Sequence, residues 1–333
     1  MHVGSVSRRQ LLAAASGLVI GTSLGGFRPV FAQGAPLRWG SASLGSTGYV
    51  IIEALASTVN RKSDLRGSAV STSGAVENMA LIGRNEIDLA QTTSLEWQSA
   101  TRGAAPFKQS IKPVQILSYG IWHQPLIVRA DSGIKTLQDL AGKRICTGPA
   151  GGAATLLWRL LLTKAGLMDK VRPSYGSWRE THEGMKAGAF GAICTIMLNG
   201  KPASILSELE STVKVRVIPT PADLIKAIQA EQPGALLDTL LPANWPGLES
   251  EVISPAMSGI LGSRPEIDDA TGYTIVKTVY ENAEDIRKIS TELAMVDIKQ
   301  ATRFLLPGFP VNGGAAKYFK EQGVWRDELT ARS

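Results

Sequence analysis

The chain has 333 residues, with 35 Lys and Arg, 29 Asp and Glu, three His, two Cys and a net charge of +6 at pH 7. At 44% hydrophobic and 19% charged residues this is the composition of a globular protein able to bury a sizeable core, which excludes disorder, collagen and coiled coil. Two cysteines exclude a disulfide-stapled scaffold and any four-thiolate zinc or iron–sulfur site.

Residues 1–32 contain no Asp or Glu and fall into three zones. Ser7-Arg8-Arg9-Gln10-Leu11-Leu12 places adjacent arginines before leucines, Leu11–Gly26 is apolar and small, and Val30-Phe31-Ala32 offers a peptidase cut before Gln33. The pattern resembles a twin-arginine (Tat) export signal and predicts a periplasmic protein. A membrane anchor is disfavoured because the apolar stretch is short and glycine-rich and Arg28 closes it. Removing 1–32 takes away Arg8, Arg9 and Arg28 and no acid, which leaves 32 basic and 29 acidic residues, or +3. No Lys/Arg run remains, so no nucleic-acid partner is expected.

Beyond Gln33, β-rich runs alternate with amphipathic runs of helix length. The pattern predicts strands over Leu37–Ser43, Ala69–Ser73, Asp88–Thr92, Val114–Tyr119, Leu126–Arg129, Lys143–Thr147, Val171–Tyr175, Ala192–Met197, Val213–Ile218 and Val252–Leu261. Helices are predicted over Tyr49–Asn60, Val76–Asn85, Ala153–Ala165, Trp178–Ala187, Ala203–Leu209, Ala222–Ala230, Asp268–Asn282, Thr291–Phe304 and Ala315–Gln322. Such alternation argues an α/β fold with mostly parallel sheets flanked by helices. A polar crossing at 131–143 and an irregular Pro- and Gly-rich stretch at 232–250 imply two lobes, one discontinuous (34–130 plus 251–333) and one inserted (131–250), with a ligand cleft between them.

Three strand-to-helix joints are built to accept an anion. Ser41-Ala-Ser-Leu-Gly-Ser-Thr-Gly-Tyr49, Ser71-Thr-Ser-Gly-Ala-Val-Glu-Asn78 and Thr147-Gly-Pro-Ala-Gly-Gly-Ala-Ala-Thr155 combine glycines, hydroxyls and helix N-terminal N–H groups. Capping alone also selects small polar residues at such turns. None is a P-loop or a G-x-G-x-x-G fingerprint. Beyond residue 32 the soft ligands are His123, His182, Cys146 and Cys194, and they form no metal or cofactor motif. Neither cysteine has a His-paired nucleophile context; buried free thiols are favoured over a disulfide. No catalytic residues, metal or cofactor are expected, and the protein is not read as an enzyme.

Several of these segments resemble one family. They are Gly45-Ser-Thr-Gly-Tyr49, Ser71–Asn78, Asn85-Glu-Ile-Asp-Leu-Ala90 and, most strongly, the run from Pro125 to Arg144, followed by Tyr175-x-Ser-Trp178 and Pro242-x-Asn-Trp-Pro-Gly247. They are similar to the TAXI type of TRAP transporter solute-binding proteins, over essentially all of 34–325. The resemblance implies a periplasmic binding protein-like fold of two α/β lobes that close on a small anionic, carboxylate-bearing solute and deliver it to a TRAP-type membrane permease. It implies ligand-binding positions at Ser43, Gly45, Ser46, Thr47, Gly48 and Tyr49, at Ser73, Gly74, Ala75 and Val76, and at Thr93, Ser94 and Tyr119. The other lobe would contribute Gly151, Gly152, Ala153, Thr155 and Asn199. Tyr49, Tyr119, Trp122 or Trp178 could stack on the ligand's apolar part. Departures from the family pattern fall at Gly45-Ser46, Gly48-Tyr49, Thr93-Ser94-Leu95, Tyr119-Gly-Ile-Trp122 and Thr195–Lys201, so a familiar ligand such as glutamate is not assumed. A monomer is expected. A sensory protein presenting ligand to a receptor is the second reading, with no further domain expected after Ser333, and a Tat-exported enzyme the third.

Overall fold

The computed structural model describes residues 35–332 except 291, 292 and 295; the expected export segment, 1–32, lies outside the described residues. The chain runs through β1 (Leu37–Gly40), α1 (Thr47–Lys62), β2 (Gly67–Val70), α2 (Ala75–Gly83), β3 (Leu89–Thr93) and α3 (Ser94–Arg102). β4 (Val114–His123) and β5 (Leu126–Arg129) follow almost end to end, then β6 (Arg144–Cys146), α4 (Ala153–Lys164), β7 (Arg172–Ser174), α5 (Trp178–Lys186) and β8 (Ala192–Cys194). A short hairpin of β9 (Met197–Leu198) and β10 (Lys201–Pro202) leads through α6 (Ser204–Glu210), β11 (Val215–Ile218), α7 (Ala222–Glu231) and β12 (Leu236–Leu240) to the long β13 (Val252–Ser263). The described part ends with α8 (Asp269–Glu281), α9 (Ala283–Ile289), β14 (Pro310–Val311), α10 (Gly313–Glu321) and β15 (Thr330–Ala331).

The strands form two sheets. The larger runs β10-β9-β4-β13-β3-β1-β2, with β12 also on β13 and β14 on β4 and β15; the smaller runs β11-β5-β8-β6-β7. The α/β class is as expected, but the sheets are mixed rather than mostly parallel. β1 pairs in parallel with β2 and β3, and β6 with β7 and β8, which crossover connections through helices allow. β13 is antiparallel to β3, β4 and β12, and β5 to β8 and β11. The antiparallel pairs arise where the chain passes between the sheets instead of crossing over through a helix.

That passage is a two-stranded ribbon. Trp122 pairs with Leu198 and His123 with Met197 in the larger sheet; in unbroken register Leu126 pairs with Cys194 and Ile127 with Ile193 in the smaller. Pro125 has no N–H to give, and the ladder is carried there by its carbonyl, which accepts from Thr195 N–H at 3.1 Å. Gln124 N–H donates to Pro255 O at 2.9 Å, and Gln124 O accepts from Trp158 Nε1 at 2.9 Å. The sheet membership of β5 therefore starts at Leu126, ahead of residue 131.

Helix faces fill the core. Ser46 caps α1, Ile51, Ile52, Leu55 and Val59 form its buried stripe, and Arg61 and Lys62 sit at its C-terminal end, where the dipole favours cations. Burying each such aliphatic contributes about 1.5–3 kcal/mol before entropy is counted. α4 does the same for the smaller sheet through Leu157, Trp158 and Leu161. At the edge of the larger sheet, Asp88 is buried and accepts from Arg38 Nε at 3.0 Å and Arg264 Nε at 2.8 Å.

Cys146 and Cys194 are both free and buried. Cys146 is the register partner of Ile193, so the pleat turns Cys194 to the opposite face of the sheet. Cys146 Sγ lies 3.3 Å from Thr181 Oγ1, and Cys194 Sγ donates to Gln124 Oε1 at 3.4 Å.

Three segments differ from expectation. α3 begins directly after β3, without a loop. β12 lies inside the Pro- and Gly-rich stretch read as irregular. The helix expected over 291–304 is instead a 3-10 turn, Ile298–Gln300, followed by turns, apart from the undescribed residues. Ala301 O is drawn onto β4, accepting from Ser118 N at 2.9 Å, and so is not available to a helix ladder.

Candidate functional site

The strand-to-helix joints converge on a cavity between the two sheets. From the larger sheet's side it is lined by Ala42, Ser46 and Gly48 at the α1 joint, Ser73, Gly74 and Ala75 at the α2 joint, and Gln91 and Thr93 on β3. Gly152, Ala153 and Ala154 enter at the start of α4, with Trp178 from α5. The ribbon supplies Trp122, Gln124 and Ile196, and β13 supplies Met257. Its volume is about 40 Å³, room for about three waters.

Local bonding fixes each joint. Ser46 Oγ accepts from Tyr49 N–H at 3.3 Å. Asn78 Nδ2 donates to Ser41 O at 2.7 Å and Gln91 O at 2.8 Å, tying the β1 and β3 ends together. Glu77 carboxylate accepts from Ser73 N–H at 2.6 Å. Thr93 caps α3, and the Glu96 carboxylate accepts from both its N–H and its hydroxyl at 2.5 Å. A Cβ on Gly48 would stand 2.4 Å from Gln91 Oε1, so glycine there makes room for the amide.

The cavity is polar without being charged. No Asp, Glu, Lys, Arg or His is among its lining residues. Helices α1, α2, α3 and α4 all start at its wall, so the positive ends of their dipoles lie there. Two lining side chains have buried polar atoms without a hydrogen-bond partner, Trp122 Nε1 and Gln91 Oε1. Trp122 is only 3% exposed and Gln91 8%. Unpaired buried groups of this kind are rare and point to an absent partner.

The two sides touch at the rim. Glu77 N–H donates to Gly151 O at 3.2 Å. Gly74, at φ +116, faces the Gly152 Cα, with a Cβ at 74 only 3.5 Å from it. Outside this contact lies a wide cavity of about 440 Å³ lined by Ser43, Leu44, Ser73, Tyr175 and their neighbours. Leu44 and Tyr175 are both exposed there.

Of the residues singled out from sequence, Ser46, Gly48, Ser73, Gly74, Ala75, Thr93, Gly152 and Ala153 meet at the inner cavity, together with Trp122 and Trp178. Ser43 lines the outer one and Gly151 the rim contact. Others are engaged in the framework. Thr155 Oγ1 donates to Thr147 O at 3.1 Å, and Ser94 Oγ donates to Gly234 O at 2.5 Å. Tyr119 OH donates to Thr92 O at 3.3 Å behind Trp122. Asn199, at φ 55, accepts from Ile121 N–H at 3.0 Å. Thr47 is buried in the first turn of α1, and Gly45, Tyr49 and Val76 lie off the inner cavity. Sequence reasoning missed Gln91, Gln124, Ile196 and Met257, and covered Ala42 and Ala154 only as part of their loops. Gln91 and Thr93 are polar at a spacing of two on an otherwise buried strand, the one pattern that could have exposed them.

The mixed α/β fold with two sheets is similar to that of periplasmic binding protein-like structures. The chain belongs to the NMT1-like family, matched over residues 39–323. Its fold is similar to that of PhnD1 from Prochlorococcus marinus (MIT 9301), solved with methylphosphonate, at 12% identity, covering 78% of this chain and 90% of that one with a TM-score of 0.50. The periplasmic aliphatic sulphonate binding protein SsuA from Escherichia coli aligns at 18% identity over 78% of each chain, TM-score 0.45. The alkanesulfonate-binding protein SsuA from Xanthomonas axonopodis pv. citri, bound to MOPS, aligns at 16% identity over 90% of this chain and 97% of that one, TM-score 0.46.

Proposed function

We propose that the protein is an exported solute-binding protein that captures a small anionic metabolite, carboxylate-bearing in the reading the sequence favours, and hands it to a membrane permease of the TRAP type. One observation supports the anion: four helices start at a cavity with no charged side chain, and one of its lining residues, Trp122, has a buried Nε1–H without a partner. Neutral donors and dipoles hold an anion without the desolvation cost of a buried cation. A cationic ligand finds no lining carboxylate. Gln91 can turn either end of its amide to the ligand, so a hydroxyl or amino group beside the anion would also be served.

The lobes are proposed as 34–130 plus 251–333 and 131–250, with β5 moved to the second and β9, β10 and β12 to the first on their sheet pairing, and the hinge at the ribbon around Gln124–Pro125. A ligand touching both sides binds the closed arrangement better than the open one, and its differential affinity sets the shift in population. The Tat-like segment supports export with a cut near Ala32, and the Pro125–Arg144 motif supports the TRAP assignment.

A thermal-shift panel of small carboxylates, sulfonates, amino acids and sugars on protein beginning at Gln33 tests the reading, since bound ligand raises the melting temperature. Stabilisation by small anions is expected. Stabilisation by neutral sugars alone would refute it.

A further inference from the structure

Thr93 is a cavity-lining hydroxyl that points away from the cavity, because its proton is given to Glu96. Glu96 is itself 0% exposed. It accepts from the Thr93 N–H and hydroxyl and from its own backbone N–H, and no ion pair involving it occurs among the described residues. Resting on the anionic reading above, we propose that the anion binds together with a proton: Glu96 takes one proton from solvent, its new O–H donates to Thr93 Oγ, and the freed Thr93 hydroxyl turns its own proton to the anion. Glu96 thus acts as a positioning residue through Thr93, and the proton is a second ligand.

Two physical effects act in the same direction. With Glu96 ionised, Thr93 presents lone pairs to the cavity and a buried negative charge stands one residue behind it. With Glu96 neutral, the charge is gone and a donor is gained. The surroundings supply nothing to hold the charge. β3 and β13 carry no titratable side chain. Glu77 of α2 is taken by Ser73 N–H, Arg159 and Lys164 of α4 are exposed, and so is Arg102 of α3 itself. Tyr119 on β4 is the titratable neighbour, and burial keeps its phenol protonated. Burial pushes the Glu96 carboxyl up to about 7, against the hydrogen bonds from Thr93 and from its own backbone N–H that pull it down. The exchange of protons therefore falls near neutral pH. By linkage, the anion must raise the proton affinity of Glu96 by the factor by which the proton raises that of the anion.

The test is calorimetric titration of protein starting at Gln33 with acetate and with methanesulfonate, both fully ionised from pH 6 to 9. Wild-type affinity is expected to fall by up to about tenfold per pH unit above 7, with uptake of about one proton per anion. Glu96→Gln should bind at every pH about as tightly as wild type at pH 6. Should Glu96→Gln fail to fold, carbon-13 NMR of the Glu carboxyls in the wild type serves instead, and the Glu96 titration must move to higher pH when anion is added. A flat wild-type profile, a slope that survives in Glu96→Gln, or an unmoved titration overturns the proposal while leaving anion binding intact. If neither anion binds at any pH, the anionic reading falls and this proposal with it.

Discussion

The N–H of Glu77 donates to the carbonyl of Gly151 at 3.2 Å, joining the first turn of α2 to the loop before α4. This is a backbone contact between the elements of the two sheets, and the glycines make it reachable. A Cβ at 151 would stand 3.1 Å from Ser73 Cβ and 3.3 Å from Glu77 Cβ. Gly151→Val should therefore hold the rim apart and weaken the best ligand of the panel at least tenfold, about 1.4 kcal/mol. The melting temperature without ligand should stay unchanged. Wild-type affinity in this variant would contradict the role of the rim.

Trp122→Phe removes the unpaired donor and keeps the ring against Tyr119, which it meets edge-on at a centroid distance of 6.2 Å. Hydrogen bonds to charged groups contribute about 1.5–3 kcal/mol, so affinity for an anion should fall roughly tenfold to a hundredfold. The ligand-free protein should be no less stable, because the lost N–H had no partner. Chemical denaturation and calorimetry together read both halves of this expectation.

Glu96 also links folding to pH. Its folded carboxyl sits near 7 against an ordinary value of 4.5, so the folded chain keeps a proton that the unfolded chain has released. The stability tied to that proton is full below about pH 4.5 and is lost as pH rises through about 7, by roughly 3 kcal/mol. Urea unfolding at pH 4.5, 6 and 7.5 should show this decline in wild type and its absence in Glu96→Gln. Parallel profiles would remove Glu96 from the account.

Asp88 works with the opposite sign. Burial alone would raise its carboxyl, but the hydrogen bonds from Arg38 and Arg264 outweigh burial and hold it below the usual range. Its contribution is present above the unfolded value and fades as pH falls through the folded one. Asp88→Asn should cost about 2 kcal/mol, at the lower end for a buried charge pair because both arginines reach solvent. An unchanged denaturation midpoint at pH 7 would contradict this.

Much of this was legible in the chain itself. The loops at Ser46–Gly48, Ser73–Ala75 and Gly152–Ala153 stand out because glycine and small polar residues recur at three strand-to-helix joints, although capping would explain any one of them. α3 did not stand out, although Thr93-x-x-Glu96 is a capping-box pattern, because it follows β3 without an intervening turn signal. Gln91, Ile196 and Met257 were hidden for a different reason. They reach the cavity only through strand pairing across long separations, and a residue's neighbours across a sheet are not written in its own segment. The ribbon through Gln124–Pro125 has the same origin. Its two halves are about 70 residues apart, so local patterning signalled each strand but not their common register.

The Trp122 indole tests the central claim most directly. In nitrogen-15 tryptophan-labelled protein, its Nε1–H resonance can be assigned by its loss in Trp122→Phe. Titration with small carboxylates and methanesulfonate should shift that resonance downfield in a saturable manner, as a free indole donor becomes bonded to an anion, while glucose leaves it in place. A resonance unmoved by every anion, or moved by neutral sugar alone, would contradict a cavity built to hold a small anion.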